Sequence, residues 1–227
     1  MSLFFIKFSE KEFIEQLYRE GLVYFNNFDF FRYCENKEQS DKNENITFLH
    51  QRHPNAYISL DGTKFPLAED SHVCVFDPNL HKNFYTHYFC LYSCKKDSLV
   101  RSDFKVFDDR LYEFGDTMLI IHDISEFLKR FTSAIKTKIK DNEIIKYEAR
   151  HIEYLDFSTY EGRVEAFKKA NKYAHQSEWR MAIRNKNLSK PYKLRIGSLE
   201  DISVIMSAKN CKNKTVFDAN KDYDIVL

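Results

Sequence analysis

The chain has 227 residues, 43% hydrophobic and 30% charged, with a formal net charge of +1. That length suits one domain with a sizeable core, and no apolar run is long enough to span a bilayer. Met1 to Ile6 is broken by Lys7 and lacks the basic region and cleavage site of a signal peptide. Five scattered cysteines, an odd number, fit a reduced compartment rather than a disulfide framework. A cytoplasmic protein with no membrane partner is therefore expected.

In chain order, Leu3 to Phe8 reads as a first strand. Ser9-x-x-Glu12 reads as a capping box, followed by Phe13, Ile14, Leu17 and Tyr18 at helical spacing and Gly21 as a C-cap. Leu22 to Phe25 is a second strand, Asn26-Asn27 a turn, and residues 34–45 a polar loop over the site. Ala56–Leu60 and His72–Phe76 read as strands, with Asp61-Gly62 as a hairpin turn and Asp77-Pro78-Asn79 as a break. Tyr85 to Cys94 and Asp116 to His122 are further strands. Asp123 caps a helix whose apolar face is Phe127, Leu128, Phe131, Ala134 and Ile135. Ile144 to Leu155 is β-rich, and Ser158-x-x-Glu161 opens a further helix carrying Val164, Phe167 and Ala170. Pro191–Ile196, Ile202–Met206 and Tyr223–Leu227 complete the strands. The pattern predicts a single α+β domain over 1–227, with helices packed on largely antiparallel sheets.

The charge is unevenly spread. Residues 1–125 hold 14 Lys and Arg against 20 Asp and Glu, and residues 126–227 hold 21 against 14. Most basic runs are solvated faces. The runs Lys129–Lys140 and Arg180, Arg184 and Lys186 in one half nonetheless predict a positive, nucleic-acid-facing surface. His81, His87, Cys90 and Cys94 match no common zinc spacing, and the five glycines do not cluster into a phosphate loop; no metal is expected.

The stretch on which function turns is Tyr173-Ala174-His175-Gln176-Ser177-Glu178-Trp179-Arg180-Met181-Ala182-Ile183-Arg184. Trp179, Met181 and Ile183 alternate with polar or small residues, the period of a half-buried strand. Gln176 and Glu178, two apart, are expected on one face, with Trp179 in the core behind them. Polar residues on the outer face of a strand are usually only solvated. A carboxylate at such a strand edge contributes little to packing, so Glu178→Gln is expected to leave the fold intact.

Gln176-x-Glu178 resembles the Gln-x-Glu motif of the ADP-ribosyltransferase superfamily. The longer string Lys169-x-x-x-Tyr173-x-x-Gln176-x-Glu178-Trp179-Arg180 is similar to that of a bacterial family of uncharacterised, often phage-defence-associated proteins. The opening order of strand, short helix, Gly-Leu and strand also resembles DarT-like, DNA-modifying members of the superfamily. The resemblance implies a split β-sandwich holding NAD in a central cleft without a metal. Glu178 would stabilise positive charge on the nicotinamide ribose, and Gln176 would orient the acceptor. Lys7 stands where the superfamily has His or Arg, with Ser9 beside it. Tyr92 and Ser93 match a strand that supports the nicotinamide pocket. Arg32 is a candidate for the NAD pyrophosphate, the alternative being a surface arginine paired with Glu35.

These matches imply a toxin or phage-defence effector, with an antitoxin as partner. Its acceptor would be nucleic acid, RNA before DNA. A protein side-chain acceptor is the alternative. A non-catalytic nucleic-acid-binding or antitoxin-binding module with a degraded cleft is the reading from a different class.

Overall fold

The computed structural model describes residues 3–44, 46–51, 53, 55–68, 72–75, 85–95, 107–185 and 190–208. The expected strand over Tyr223–Leu227 and the break at Asp77-Pro78-Asn79 lie outside the described residues. In chain order, β1 (Leu3–Ser9) leads into α1 (Lys11–Glu20), β2 (Leu22–Asn27) and α2 (Phe28–Tyr33). Four short strands follow: β3 (Phe48–Gln51), β4 (Tyr57–Leu60), β5 (Thr63–Pro66) and β6 (His72–Val75). Then come the long β7 (Tyr85–Lys95), β8 (Thr117–Ile121) and α3 (Ile124–Lys140). β9 (Ile144–His151), β10 (Glu153–Leu155), β11 (Gly162–Arg163) and β12 (Lys168–Ala170) precede β13 (Glu178–Asn185), β14 (Tyr192–Arg195) and β15 (Ser203–Ser207). The architecture is α+β, with mostly antiparallel sheets; only the short β10–β12 pair is parallel among the described strands.

The central sheet is organised by β7. One edge pairs with β13, from Asn185 opposite Tyr85 to Glu178 opposite Tyr92, and β13 pairs onward with β9. The other edge is shared between two strands. β2 takes His87 and Tyr88, and β1 takes Tyr92 to Lys95. Among the described residues, 89–91 have no strand partner on that edge, so the sheet forks there. One branch continues from β1 to β8 and β15, the other from β2 to β14.

Both faces of this sheet are covered, which explains near-continuous burial along β1, β8 and β13. Phe5, Phe89, Trp179, Met181 and Ile183 face a core completed by Phe127, Phe131 and Ile135 of α3. Trp179 stacks on Phe5 with ring centroids 4.5 Å apart, the buried anchor expected from the alternation. Phe4, Ile6, Phe8 and Met118 fill a second cluster on the other face.

The helix punctuation follows the sequence in part. The Asp123 carboxylate accepts from the Glu126 N–H at 2.9 Å and caps α3. Gly21 ends α1 at φ 59°, and a Cβ there would stand 1.8 Å from the Gly197 carbonyl oxygen, so only glycine permits this approach. Asp61 and Gly62 turn the β4–β5 hairpin with φ of 48° and 81°.

Two expected elements differ. Ser9 does not cap α1: it is spent in the ladder opposite Thr117, and Glu10 precedes the helix without a side-chain cap bond. The helix expected after Ser158 is absent. Its place is taken by β11, a 3-10 turn at Glu165–Phe167 and β12, with Glu165 at φ 56°. Val164 and Phe167 enter different clusters, with Ile46 and Leu49 in one case and Tyr88 and Ile152 in the other, which a single helix face would not allow.

Candidate functional site

The fork in the sheet opens into a cleft of about 490 Å³. Its lining draws on both faces of β7, Phe89 and Leu91 from one and Tyr88, Cys90 and Tyr92 from the other, so the cleft passes through the gap between β1 and β2. Lys7 stands in that gap. Its ammonium donates to the Cys90 carbonyl at 3.0 Å, taking up a backbone acceptor at the unpaired edge, and lies 5.0 Å from the Phe89 ring centroid. Burial pushes its pKa down, and the nearby Cys90 and Glu178 pull against that shift. Lys7 is the only Lys or Arg in the lining among the described residues.

Gln176 and Glu178 both reach this cleft, by a route other than a shared strand. Gln176 ends a 3-10 helix over Asn171–Gln176, Ser177 takes a left-handed conformation at φ 36°, and Glu178 begins β13. Lys169 brings them together. Its ammonium donates to Gln176 Oε1 at 3.0 Å and to Glu178 Oε2 at 2.8 Å. Gln176 Nε2 in turn donates to the Glu38 carbonyl at 2.8 Å, tying the 34–44 loop to the site.

Behind the pair lies a buried charge network. Arg180 Nε donates to Glu178 Oε1 at 2.6 Å, and its Nη1 and Nη2 grip Glu44 at 2.7 and 3.1 Å. Nη1 also meets the Ala166 carbonyl, and the guanidinium lies over the Tyr88 ring. Lys169 and Arg180 thus pair with Glu178 and Glu44, and a further buried acid, Asp41, lies near Glu44. Arg180 is 1% exposed and Glu178 5%, and buried charges persist at such depth only when paired and hydrogen-bonded.

The two acids respond differently. Burial alone would raise the Glu178 carboxyl, but Arg180 and Lys169 hold it well below the usual carboxylate range. Burial pushes Glu44 up, against the pull of Arg180. Burial lowers the Lys169 ammonium, and Glu178 and Glu44 together raise it by more, so it stays charged. Burial pushes the Cys90 thiol, beside Glu178, up to about 12 and keeps it protonated. The Glu178 backbone N–H donates to the Tyr154 hydroxyl at 2.9 Å. Glu178 is therefore an ionised carboxylate with both oxygens engaged, and its replacement by Gln would leave two cations facing one acid. The expectation that this substitution spares the fold is corrected accordingly.

The other expected residues divide. Ser9 and Tyr92 line the cleft, and burial pushes the Tyr92 phenol up to about 12. Ser93 does not line it; Ser93 N–H donates to the Ser177 carbonyl at 2.9 Å, and its own carbonyl accepts from Ser177 Oγ at 2.8 Å. Ser93 fixes the left-handed turn between Gln176 and Glu178. Arg32 lies outside the lining, 5.7 Å from the Tyr33 ring centroid, while Phe30 and Phe31 do line the cleft.

Arg180 is not part of a basic surface, because Glu178 and Glu44 enclose it. Arg184 is half-buried at a separate groove, and Lys186 lies outside the described residues. Helix α3 packs against the Trp179 face, opposite Glu178, and Arg130 is neutralised by Glu126 and Asp201. The expected patch joining α3 to Arg180 beside the cleft is therefore not assembled.

Lys169 stands in the sequence motif with no role of its own, and neither Glu44 nor Tyr154 is marked by the sequence. Glu44 sits in a polar loop with no periodic signal. No protein-family model, curated protein or solved structure matches the chain. Among the described residues, no helix is long and apolar enough to cross a membrane.

Proposed function

We propose that the cleft binds NAD and that the protein transfers ADP-ribose from it to an acceptor. The observation that carries this reading is an ionised carboxylate, Glu178, held beside Gln176 at the wall of a ligand-sized cleft. The lining suits a dinucleotide. Rings of Phe13, Tyr24, Phe31 and Tyr92 offer flat apolar surface, Lys7 offers a cation for phosphate, and Ser9, Asn26, Asn36 and Gln39 offer hydrogen bonds to ribose hydroxyls.

In the proposed reaction the bond between nicotinamide and ribose breaks, the electron pair leaving with nicotinamide. The acceptor forms the new bond to the ribose carbon and loses a proton. Glu178 places negative charge where positive charge develops, as a carboxylate does in glycoside cleavage. Gln176 orients the acceptor, and Lys169 and Tyr154 hold Glu178 in place. The acceptor in this reading is nucleic acid, RNA before DNA, with a protein side chain as the alternative. The setting is a toxin or defence effector that an antitoxin would restrain.

One observation favours a second reading. Arg180 and Lys169 already occupy both Glu178 oxygens, as in a structural ion network around a cleft that binds without breaking a bond. Release of nicotinamide from NAD by purified protein, with RNA, DNA or protein present, separates the two. Release with label transferred to one acceptor is expected. Gln176→Ala should lower transfer while slow hydrolysis of NAD survives, because water replaces the acceptor. A thermal shift with NAD but no nicotinamide release with any acceptor favours a cleft that binds NAD without cleaving it. No shift and no release sinks both.

A further inference from the structure

A second groove, of about 220 Å³, lies on the Glu178 face of the sheet and shares Tyr88 with the cleft. The register sets its composition. Lys146, Glu148 and Arg150 of β9 stand opposite Arg184, Ala182 and Arg180 of β13, and β7 presents Thr86, Tyr88 and Cys90 beyond them. Arg184 is thus flanked directly by Lys146 on one side and Thr86 on the other.

Arg184 is half-buried, and its side chain makes no ion pair or hydrogen bond among the described residues. Lys146, directly opposite, only grazes Glu148 at 3.9 Å and is 68% exposed. Like charges directly opposed across an antiparallel pair repel. Arg180 and Arg150 are opposed in the same way, but Glu178 and Glu44 neutralise the first and Glu148 pairs the second at 3.0 Å. Glu165, at the groove's edge, is matched by Arg163 at 3.4 Å. The Lys146–Arg184 end therefore carries uncompensated positive charge beside a threonine hydroxyl.

We propose that this groove binds the phosphodiester backbone of a nucleic-acid strand, with Arg184, Lys146 and Thr86 holding one phosphate. A guanidinium, an ammonium and a hydroxyl together suit a phosphate oxygen set. The groove runs on from Lys146 past Glu148 to Arg150, which Glu148 pairs, four residues along β9 or about 13 Å, which is longer than one phosphate and favours a strand over a free ion. Arg150 lies over the Phe167 ring, 4.4 Å from its centroid, which holds the guanidinium at the groove. The inference supplies an acceptor contact for the proposed transfer reaction, and its test needs no NAD.

The probe is a fluorescein-labelled single-stranded RNA of about 12 nucleotides, followed by anisotropy at several salt concentrations, with inorganic phosphate and the matching DNA as separate arms. Binding should weaken steeply with salt, the slope falling by about 0.7 for each lost contact to a single strand. Arg184→Ala should weaken binding about tenfold or more, the effect of losing one charge-assisted contact, and Lys146→Ala somewhat less. Both variants should melt at or above the wild-type temperature, because each relieves repulsion. Lys136→Ala, on α3 at the opposite face, should bind like wild type. RNA binding unchanged in Arg184→Ala and Lys146→Ala overturns the site. Stabilisation by inorganic phosphate without oligonucleotide binding overturns the nucleic-acid assignment.

Discussion

Replacing Glu178 by Gln should destabilise the protein strongly before any question of activity arises. Within the ion-paired network, wild type sets two cations, Lys169 and Arg180, against two acids, Glu178 and Glu44, with a third buried acid, Asp41, near Glu44. The substitution keeps shape and removes one negative charge, leaving Lys169 and Arg180 with Glu44 as their one ion-paired acid. Removing one partner of a buried ion pair typically costs about 3–5 kcal/mol. For a domain of this length that is a fall in Tm of about 6–20 °C, a large share of a total stability of roughly 5–15 kcal/mol. Lys169→Met should also destabilise, by leaving an excess negative charge. The double variant Lys169→Met/Glu178→Gln restores one-to-one pairing, because Arg180 keeps its two bonds to Glu44. It should therefore melt well above the sum of the two single effects. Unfolding is readily followed by the fluorescence of Trp179, the only tryptophan in the chain, buried on Phe5. Either a Glu178→Gln variant melting within about 2 °C of wild type or strictly additive losses in the double variant would refute the charge-balance argument. The same cycle decides how activity is read, since lost transfer in a half-unfolded single variant says nothing about chemistry.

Gly21→Ala should cost more than the roughly 1–3 kcal/mol of left-handed strain alone, because its Cβ would also strike the Gly197 carbonyl oxygen at 1.8 Å. Gly197→Ala, at φ 88° with nothing within 4 Å of the added Cβ, should suffer the strain only, and equal losses in a denaturant titration would contradict this account. The pH dependence follows from the network. Glu178 is held below the ordinary carboxylate value of about 4.3, so its contribution is complete above that pH and lost as pH falls through the folded value. Glu44, pushed up by burial, has the opposite sign: its contribution is present below about 4.3 and lost as pH rises through its folded value. The Lys169→Met/Glu178→Gln variant lacks the first contribution, so its Tm should fall less than that of wild type on acidification below about pH 4.3, and superimposable acid limbs would count against it.

Local signals made much of the fold legible. Alternation and apolar runs located β1, β7, β8 and β13, and the Asp123 cap and the Asp61-Gly62 turn rest on contacts within a few residues. The segment after Ser158 failed because Val164, Phe167 and Ala170 fit helical spacing, while their partners lie in separate clusters that no local period reveals. Gln176 was expected on the strand, yet the left-handed Ser177 is fixed by Ser93, far away in sequence. Arg180 looked like a surface charge because its partner Glu44 lies 136 residues earlier. Charge runs report composition, and only the fold decides which members meet an acid.

The cleft exists because β7 is asked to pair with two diverging strands. Among the described residues, its outer edge has no ladder between Tyr88 and Tyr92, and a buried carbonyl there requires a donor. Lys7 supplies it to Cys90 from the strand that has turned away. An ammonium has three donors, and this bond uses one, so capping the gap leaves the group able to meet an anion in the cleft. An arginine would present a planar fork instead, with its donors fixed relative to one another. Lysine at this position is thus suited to a sheet that must be closed by a side chain and kept open to a ligand at once. The same economy holds on the Glu178 side of the cleft, where Lys169 satisfies Gln176 and Glu178 together. Each end of the candidate site depends on one ammonium that completes the fold and faces the cleft's chemistry, so stability and binding are expected to change together there.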